Sequence, residues 1–271
     1  MFNNISLQAH GLVSLANENH KKSNTKVVVI TSGKGGVGKS TITANIAYLL
    51  SKKGKKVAVL DADIGLANLQ VLFDIKPKYT IFDYIDGRCT IEKILLATDY
   101  KNITLIAGKS GYQYAQNSNN MLFSNIVEKI KALNKYDILL IDTGAGINEH
   151  VQEFVNLSDN IIAVTTTDPS ALTDVYALIK MLSTKKDKLM LCFNYTSKYS
   201  TGEAITKSLI NLAVKNQLNS KFMVQYLGNI SQMQSISITG RLRKLFTKEL
   251  SEETPSKELG KIIDKLTHEV R

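Results

Sequence analysis

A glycine-rich string is the feature that most narrows what this chain can fold into. Residues 33–41 read GKGGVGKST and fit the pattern G-x-x-x-x-G-K-[ST], between the β-branched run 26–32 and the helix-period segment ITANIAYLLSK. A strand, a glycine loop and a helix in this order cradle phosphate groups, because glycine lets backbone N–H groups turn inward and a helix N-terminus attracts anions. The sequence therefore predicts a nucleotide-phosphate site contacted by Gly33, Lys34, Gly35, Gly36, Val37, Gly38, Lys39, Ser40 and Thr41.

Short apolar runs recur along the chain and alternate with segments of helical period. Fully apolar strands separated by helices are typical of a parallel sheet that is covered on both faces. We expect an α/β fold with a doubly wound, mostly parallel sheet, which binds ligands at the carboxyl ends of its strands. The predicted strands cover residues 26–32, 56–63, 102–108, 137–144, 160–166, 188–194 and 222–230.

The composition favours one soluble domain. Of the 271 residues, 44% are hydrophobic and 21% charged, and nowhere do 18 apolar residues run together, so we expect no membrane span. Cys89 and Cys192 form no CxxC pair, which is typical of a reducing cytoplasm. The net charge of +10 is concentrated between His20 and Lys56, where nine lysines occur without an acidic residue. We interpret most of these lysines as a solvated face.

Three residues have site roles that follow from their chemistry. Lys39 is expected to span the β- and γ-phosphates of ATP, and the hydroxyl of Ser40 to ligate Mg²⁺. Asp142 ends the apolar strand DILLID, where a carboxylate can reach a metal-bound water. The following residues 143–146, TGAG, offer flexible backbone for sensing the γ-phosphate. These residues predict a Mg²⁺-dependent ATP hydrolase.

The string KGGVGKST resembles the deviant Walker A loop of the MinD/ParA (SIMIBI) ATPases, which have a MinD-like P-loop NTPase fold. The resemblance implies that Lys34 reaches the partner's phosphates across an ATP homodimer, so that hydrolysis requires dimerisation. It also implies that Asp61 supports the Mg²⁺ shell and that Asp63 positions the attacking water. Asn194 would pair with the adenine edge, flanked by residues 229–232. The alternative for Asp61, Asp63 and Asn194 is a structural role in turns.

Three longer strings are more specific, and they read DADIGLANLQVLFDIKPKYTIFDYIDG, IDTGAGI and VTTTDPSALTDVYALIK. They resemble the FlhG family, also called YlxH or FleN, whose MinD-like ATPases set flagellar number and placement. The resemblance implies a slow, dimerisation-dependent ATPase that uses ATP, ADP and Mg²⁺. It places the protein in the cytoplasm and peripherally at the inner membrane, the cell pole included. The implied partners are the GTPase FlhF and flagellar basal-body or C-ring components, and nucleic acid is not expected.

Residues 1–25 predict a partner-binding helix followed by a polar linker. In the FlhG family this helix carries a DQAxxLR motif that stimulates FlhF. The present chain keeps Gln8 of that motif, but Leu7 and Val13 replace its acidic and arginine ends. The alternative to stimulation is simple docking of the helix.

The remaining chain divides into an ATPase domain at 26–250 and a C-terminal amphipathic helix at 251–271. The apolar stripe of that helix either binds a membrane or packs on the sheet. Two other functions stay open beside flagellar regulation. One is a ParA-like DNA-segregation ATPase, favoured by the lysine-rich stretch, and the other is a MinD-like regulator of the division site.

Overall fold

The computed structural model describes residues 23–63, 67–109, 122–158, 160–197 and 199–269. Leu7, Gln8 and Val13 lie outside the described residues. The strands are β1 Lys26–Ser32, β2 Val57–Ala62, β3 Leu96–Ala97, β4 Ile103–Ile106, β5 Ile138–Ala145, β6 Asn160–Thr165, β7 Lys188–Thr196 and β8 Met223–Ser231. The helices are α1 Lys39–Lys52, α2 Leu69–Leu72, α3 Ile81–Ile85, α4 Ile91–Ile94, α5 Leu122–Ala132, α6 Glu149–Asn156, α7 Pro169–Ser183, α8 Tyr199–Lys215, α9 Gln234–Arg241, α10 Phe246–Glu249 and α11 Thr254–Glu269.

The eight strands form one sheet in the order β3-β4-β2-β5-β1-β6-β7-β8. All neighbouring pairs are parallel except β3 with β4. The predicted doubly wound, mostly parallel α/β fold is confirmed. Because β1 lies between β5 and β6, the loop after β1 opens at the middle of the sheet, beside the ends of β2 and β5.

Two hydrophobic cores cover the two faces of the sheet, and strand alternation assigns each side chain to one of them. In β1, Val28 and Ile30 join the core with α1, α10 and α11, whereas Val27 and Val29 join the core with α3 and α5 to α8. The central strands are therefore apolar on both faces over most of their length, and the buried Asp61 and Asp142 lie toward their carboxyl ends, where the ligand site forms.

The helix α11 packs on the sheet. Its apolar stripe, formed by Leu259, Ile262, Ile263 and Leu266, is buried in the same core as α1. The stripe is therefore not available to a membrane while α11 stays in place, and for residues 254–269 the structure has the packed helix, not the membrane-binding one. No helix in the described part of the chain is long and apolar enough to cross a membrane.

Candidate functional site

A cleft of about 630 Å³ lies at the carboxyl ends of the central strands. This volume is typical of small-ligand sites. The loop from Gly35 to Thr41 lines the cleft, together with side chains from β7, β8, α9 and α10. The lining residues outside the glycine loop include Asp63, Asn68, Asn194, Tyr195, Ile230, Ile236, Arg241 and Phe246.

The glycine loop leaves the N-terminus of α1 free for an anion. Gly38 is the N-cap of α1, the cap has no side-chain hydrogen bond, and the first turn contains no acidic residue. Gly36 and Gly38 have φ angles of 78° and 87°, a region that disfavours any residue with a Cβ. A Cβ on Gly38 would also lie 2.4 Å from Nδ2 of Asn194. The local sequence thus builds an uncapped helix N-terminus of the kind that binds phosphate.

A buried ion pair joins this loop to β5. Nζ of Lys39 donates to Oδ1 of Asp142 over 2.9 Å, and the side chains are only 7% and 1% exposed. Oγ1 of Thr43 donates to the same oxygen over 3.0 Å. The second oxygen, Oδ2 of Asp142, is buried and has no hydrogen-bond partner within the described residues. A buried carboxylate oxygen without a partner is costly, so it is available to a ligand that binds here.

Asp61 lies beside Asp142, because β2 and β5 pair with these two residues in register. Its carboxylate accepts hydrogen bonds from the backbone N–H of Leu69 over 3.0 Å and of Asp63 over 3.3 Å. Burial, and secondarily the charge of Asp142, raises the pKa of Asp61 from 3.8 to about 7 despite these hydrogen bonds. The carboxyl can therefore hold a proton near neutral pH, and a nearby cation would favour its release.

Asp63 and Ser40 are half-buried at the cleft. Oδ1 of Asp63 lies 3.6 Å from the place that a Cβ on Gly144 would take, between the ends of β2 and β5. The oxygens of Ser40, Asp61 and Asp142 are of the type that Mg²⁺ prefers. Within the described ranges, His, Cys, Asp and Glu alone form no group of three or more that could hold a metal ion. This donor set fits Mg²⁺ bound jointly with a nucleotide, because Mg²⁺ in such sites takes one or two protein oxygens together with phosphates and waters.

Asn194 and Tyr195 form one wall of the cleft at the end of β7. Nδ2 of Asn194 donates to the carbonyl oxygen of Val37 over 2.9 Å, so its amide holds the glycine loop. Tyr195 has φ 55° and is 43% exposed. Of the four residues 229–232, Ile230 lines the cleft, whereas Ser231 donates to Glu258 of α11.

Lys34 points away from this cleft. Its Nζ donates to Oγ of Ser170 and lies 3.8 Å from Oδ1 of Asp168, at the start of α7. The side chain is 45% exposed. The structure thus brings Lys39, Ser40, Asp63 and Asn194 to one cleft. Asp142 is buried against Lys39, Asp61 pairs with Asp142, and Lys34 lies on the outer side of the loop.

Sequence reasoning missed several side chains of the site. Thr43 lies one helical turn after Lys39, and this spacing was a usable signal that it shares the same face of α1. Tyr195 directly follows Asn194, but no sequence pattern signals its positive φ. Ile236 and Arg241 come from α9, which follows the last strand, and only the tertiary fold brings that helix over the cleft.

Comparisons with known proteins agree with this architecture. A family model described as ParA: NUBPL iron-transfer P-loop NTPase matches residues 23–267. The flagellum site-determining protein YlxH of Helicobacter pylori is 42% identical over 228 residues, which are 84% of this chain and 76% of that protein. The antiactivator FleN of Pseudomonas aeruginosa is 32% identical over 215 residues, with 78% and 75% covered.

Solved structures that contain MinD superpose on most of the chain. The MinC:MinD cell division protein complex of Aquifex aeolicus gives a TM-score of 0.73 at 26% identity, covering 90% of this chain and 96% of that chain. The septum site-determining protein MinD of Pyrococcus horikoshii, complexed with Mg-ADP, gives a TM-score of 0.74 at 23% identity, with 89% and 96% covered. At 23% identity, the similarity to the Pyrococcus horikoshii structure shows a shared fold alone.

Proposed function

The chain belongs to the YlxH/FleN family of ParA-type P-loop NTPases, and from this premise we propose that it is an ATP hydrolase whose nucleotide-dependent homodimer regulates the number and placement of flagella. The names of the relatives, a flagellum site-determining protein and an antiactivator, support the biological part. The proposed ATP hydrolysis is supported by one observation on this chain, the buried ion pair of Lys39 and Asp142 beside a glycine loop that leads into an uncapped helix N-terminus.

Lys39 is proposed to change partners when ATP binds. Its Nζ now donates to Asp142, and both groups are buried, so removing either partner would leave an uncompensated charge. The β- and γ-phosphates carry more negative charge than one carboxylate and would draw Nζ toward them. Asp142 then becomes free to accept from a metal-bound water, with Thr43 still donating to its Oδ1.

Mg²⁺ is the proposed cofactor, held by Ser40 and supported by Asp61 and Asp142. When bound, the ion would neutralise charge on the phosphates and so stabilise the departure of ADP. The positive ion would also favour the deprotonated form of Asp61, whose pKa is raised to about 7 by burial. The orphaned Oδ2 of Asp142 supports this assignment.

Asp63 and Lys34 are the residues that we assign to the hydrolytic step. Asp63 stands at the cleft and would orient the attacking water toward the γ-phosphate. Lys34 lies outside its own cleft, a position consistent with service to a second copy. In that copy its ammonium group would neutralise charge that develops in the transition state, as an arginine finger does.

Asn194 is proposed to read the adenine base. Its amide can donate to one ring nitrogen and accept from the exocyclic amine, which matches adenine better than guanine. One N–H of its Nδ2 donates to the carbonyl of Val37 over 2.9 Å, so the second N–H and Oδ1 would serve the base. Base binding and loop conformation would then be coupled through this one amide.

The terminal segments are proposed to act differently from each other. Residues 1–25, with Gln8, would contact FlhF, and basal-body or C-ring components are further candidate partners. Residues 26–250 would form the ATPase together with 251–271, whose α11 stripe lies in the core. We place the protein in the cytoplasm and at the inner membrane through its partners, because α11 would have to leave the sheet to insert.

Iron transfer, which the description of the family model mentions, is disfavoured for this chain. The sequence contains two cysteines, Cys89 and Cys192. Burial raises the pKa of the Cys192 thiol to about 12, and its side chain packs in the core of the sheet. Because a thiolate is the form that binds iron, Cys192 is poorly suited to this role.

A gene deletion in the native bacterium tests the proposal. We expect an altered number or position of flagella, restored by the wild-type chain but not by Lys39→Ala. Lys53→Ala is the matched control, since Lys53 is exposed and pairs with Asp264 far from the cleft, and it should restore the phenotype. Normal flagella together with minicells, or with loss of chromosomes, would refute flagellar regulation in favour of division-site selection or DNA segregation.

A further inference from the structure

The side chain of Lys34 is held within its own subunit by the N-cap of α7, Asp168, and by Ser170 in the first turn of that helix. Its Nζ donates to Oγ of Ser170 and lies 3.8 Å from Oδ1 of Asp168. Ser170 is aligned in turn, because its Oγ and its backbone N–H donate to the same Asp168 oxygen over 2.5 Å and 2.8 Å. We call this three-residue unit, Lys34 with Asp168 and Ser170, the lysine latch.

Lys34 is bound at the N-terminus of α7, the end of the helix that disfavours a positive charge. Asp168 is the N-cap of this 15-residue helix, and a helix N-terminus repels cations. The carboxylate of Asp168 offsets that repulsion, and hydrogen bonds from Ser170 and from the backbone of α7 keep its pKa below the ordinary value. Lys34 is therefore held by one carboxylate and one hydroxyl, both exposed, and a stronger anion can displace them.

The backbone beside Lys34 has little freedom to move. A Cβ on Gly33 would lie 2.6 Å from Cβ of Asp174 and 2.7 Å from its carbonyl carbon, so α7 rests directly on the first residue of the glycine loop. Release of Lys34 can then proceed by rotation of its side chain while Gly33 stays seated on α7.

From these contacts we propose that Asp168 and Ser170 are positioning residues that restrain Lys34 in the free subunit and compete with ATP-dependent dimerisation. This inference rests on the proposed function, in which Lys34 serves the partner's nucleotide. In the free chain the latch holds Lys34 on α7. In the dimer the partner's triphosphate, with several negative charges, replaces Asp168 as the neighbour of the ammonium group.

The latch is weak enough to act as a switch. Exposed ion pairs contribute little because solvent screens them, and the side chains of Lys34 and Asp168 are 45% and 56% exposed. We expect that removal of the latch tightens the dimer by about threefold for each protomer. Since two latches open for each dimer, the dimer dissociation constant should fall about ninefold.

The first measurement tests the latch without any dimer. The nucleotide-free full chain is acetylated with an N-hydroxysuccinimide ester, and modification of Lys34 is quantified by mass spectrometry against Lys53, an exposed lysine paired with Asp264. Ser170→Ala should raise the relative acetylation rate of Lys34 about threefold. Thr173→Ala is an exposed change on the same helix, where the hydroxyl donates to the carbonyl oxygen of Pro169, and it should leave the rate unchanged.

The second measurement is sedimentation velocity with Mg²⁺ and a non-hydrolysable ATP analogue. Ser170→Ala and Asp168→Asn should both favour the dimer, and asparagine keeps the helix cap while removing the charge. Unchanged acetylation of Lys34 would overturn the latch. Faster acetylation with an unchanged or weaker dimer would overturn its competition with dimerisation. If neither the wild type nor any variant dimerised at any concentration, the proposed dimer function would be wrong. The acetylation rates would then still show whether the latch exists, because they are measured without a dimer.

Discussion

Replacing the carboxyl of Asp61 should change how stability depends on pH. Burial and the neighbouring Asp142 raise the pKa of Asp61 from 3.8 to about 7 in the folded chain. Between these values the folded state keeps the proton that the unfolded state has lost, so this group favours folding most below about pH 4. Its contribution falls as the pH rises and is lost above about pH 7. The difference between the two pKa values corresponds to about 4 kcal/mol, an upper estimate for the cost of the buried charge.

The variant Asp61→Asn removes this titration. Asparagine keeps one acceptor for the backbone N–H groups of Leu69 and Asp63, and the lost hydrogen bond costs about 1 kcal/mol at every pH. The pH-dependent part is isolated by urea unfolding of both proteins at pH 5 and pH 8.5 in EDTA without nucleotide. Because this window covers about two pH units below the folded pKa, the variant should gain about 3 kcal/mol of stability relative to wild type between the two pH values. An equal difference between the two proteins at both pH values would refute the raised pKa.

Three further changes probe the site and the C-terminal helix. Thr43→Val removes a hydroxyl donor to a buried carboxylate and should lower the free energy of unfolding by about 1 to 3 kcal/mol in denaturant titrations. Gly38→Ala should abolish binding of a fluorescent ATP analogue, because the added Cβ meets Asn194 and φ is 87°. Ile263→Asp places a charge in the core and should destabilise the chain by several kcal/mol in a thermal melt. Lys261→Asp, which is exposed on the same helix, should change the stability by less than about 1 kcal/mol. Equal effects of the two substitutions would contradict core packing of α11.

Much of the fold could be predicted because its signals are local. Apolar runs such as 26–32 match the observed strands closely, and the glycine loop lies between a strand and a helix as its pattern requires. The proximity of Asp61 to Asp142 could also be predicted, because parallel strands bring their carboxyl ends to one edge of the sheet. The strand order and the antiparallel pairing of β3 depend on long-range contacts that no local pattern encodes.

The packing of the C-terminal helix and the contacts of Lys34 could not be predicted from the sequence. An apolar stripe has the same period whether it meets a sheet or a lipid surface, so the pattern of α11 could not decide between them, and the tertiary fold buries it. The contact of Lys34 with Ser170 joins residues 136 positions apart and depends on how α7 seats on Gly33. Such pairings arise from the packing of elements, which local spacing does not specify.

The most direct test of the central claim is complementation between two inactive chains. Lys34→Ala keeps its own Asp63, and Asp63→Ala keeps its own Lys34, so each protein alone should show no ATP turnover. In an equal mixture half of the dimers are mixed, and each mixed dimer has one site with its own Asp63 and the partner's Lys34. If Lys34 acts across the dimer, the mixture should recover about a quarter of the wild-type rate per chain. If the mixture stays inactive while the variants still form dimers with ATP, Lys34 does not serve the partner's nucleotide, and the proposed mechanism is wrong.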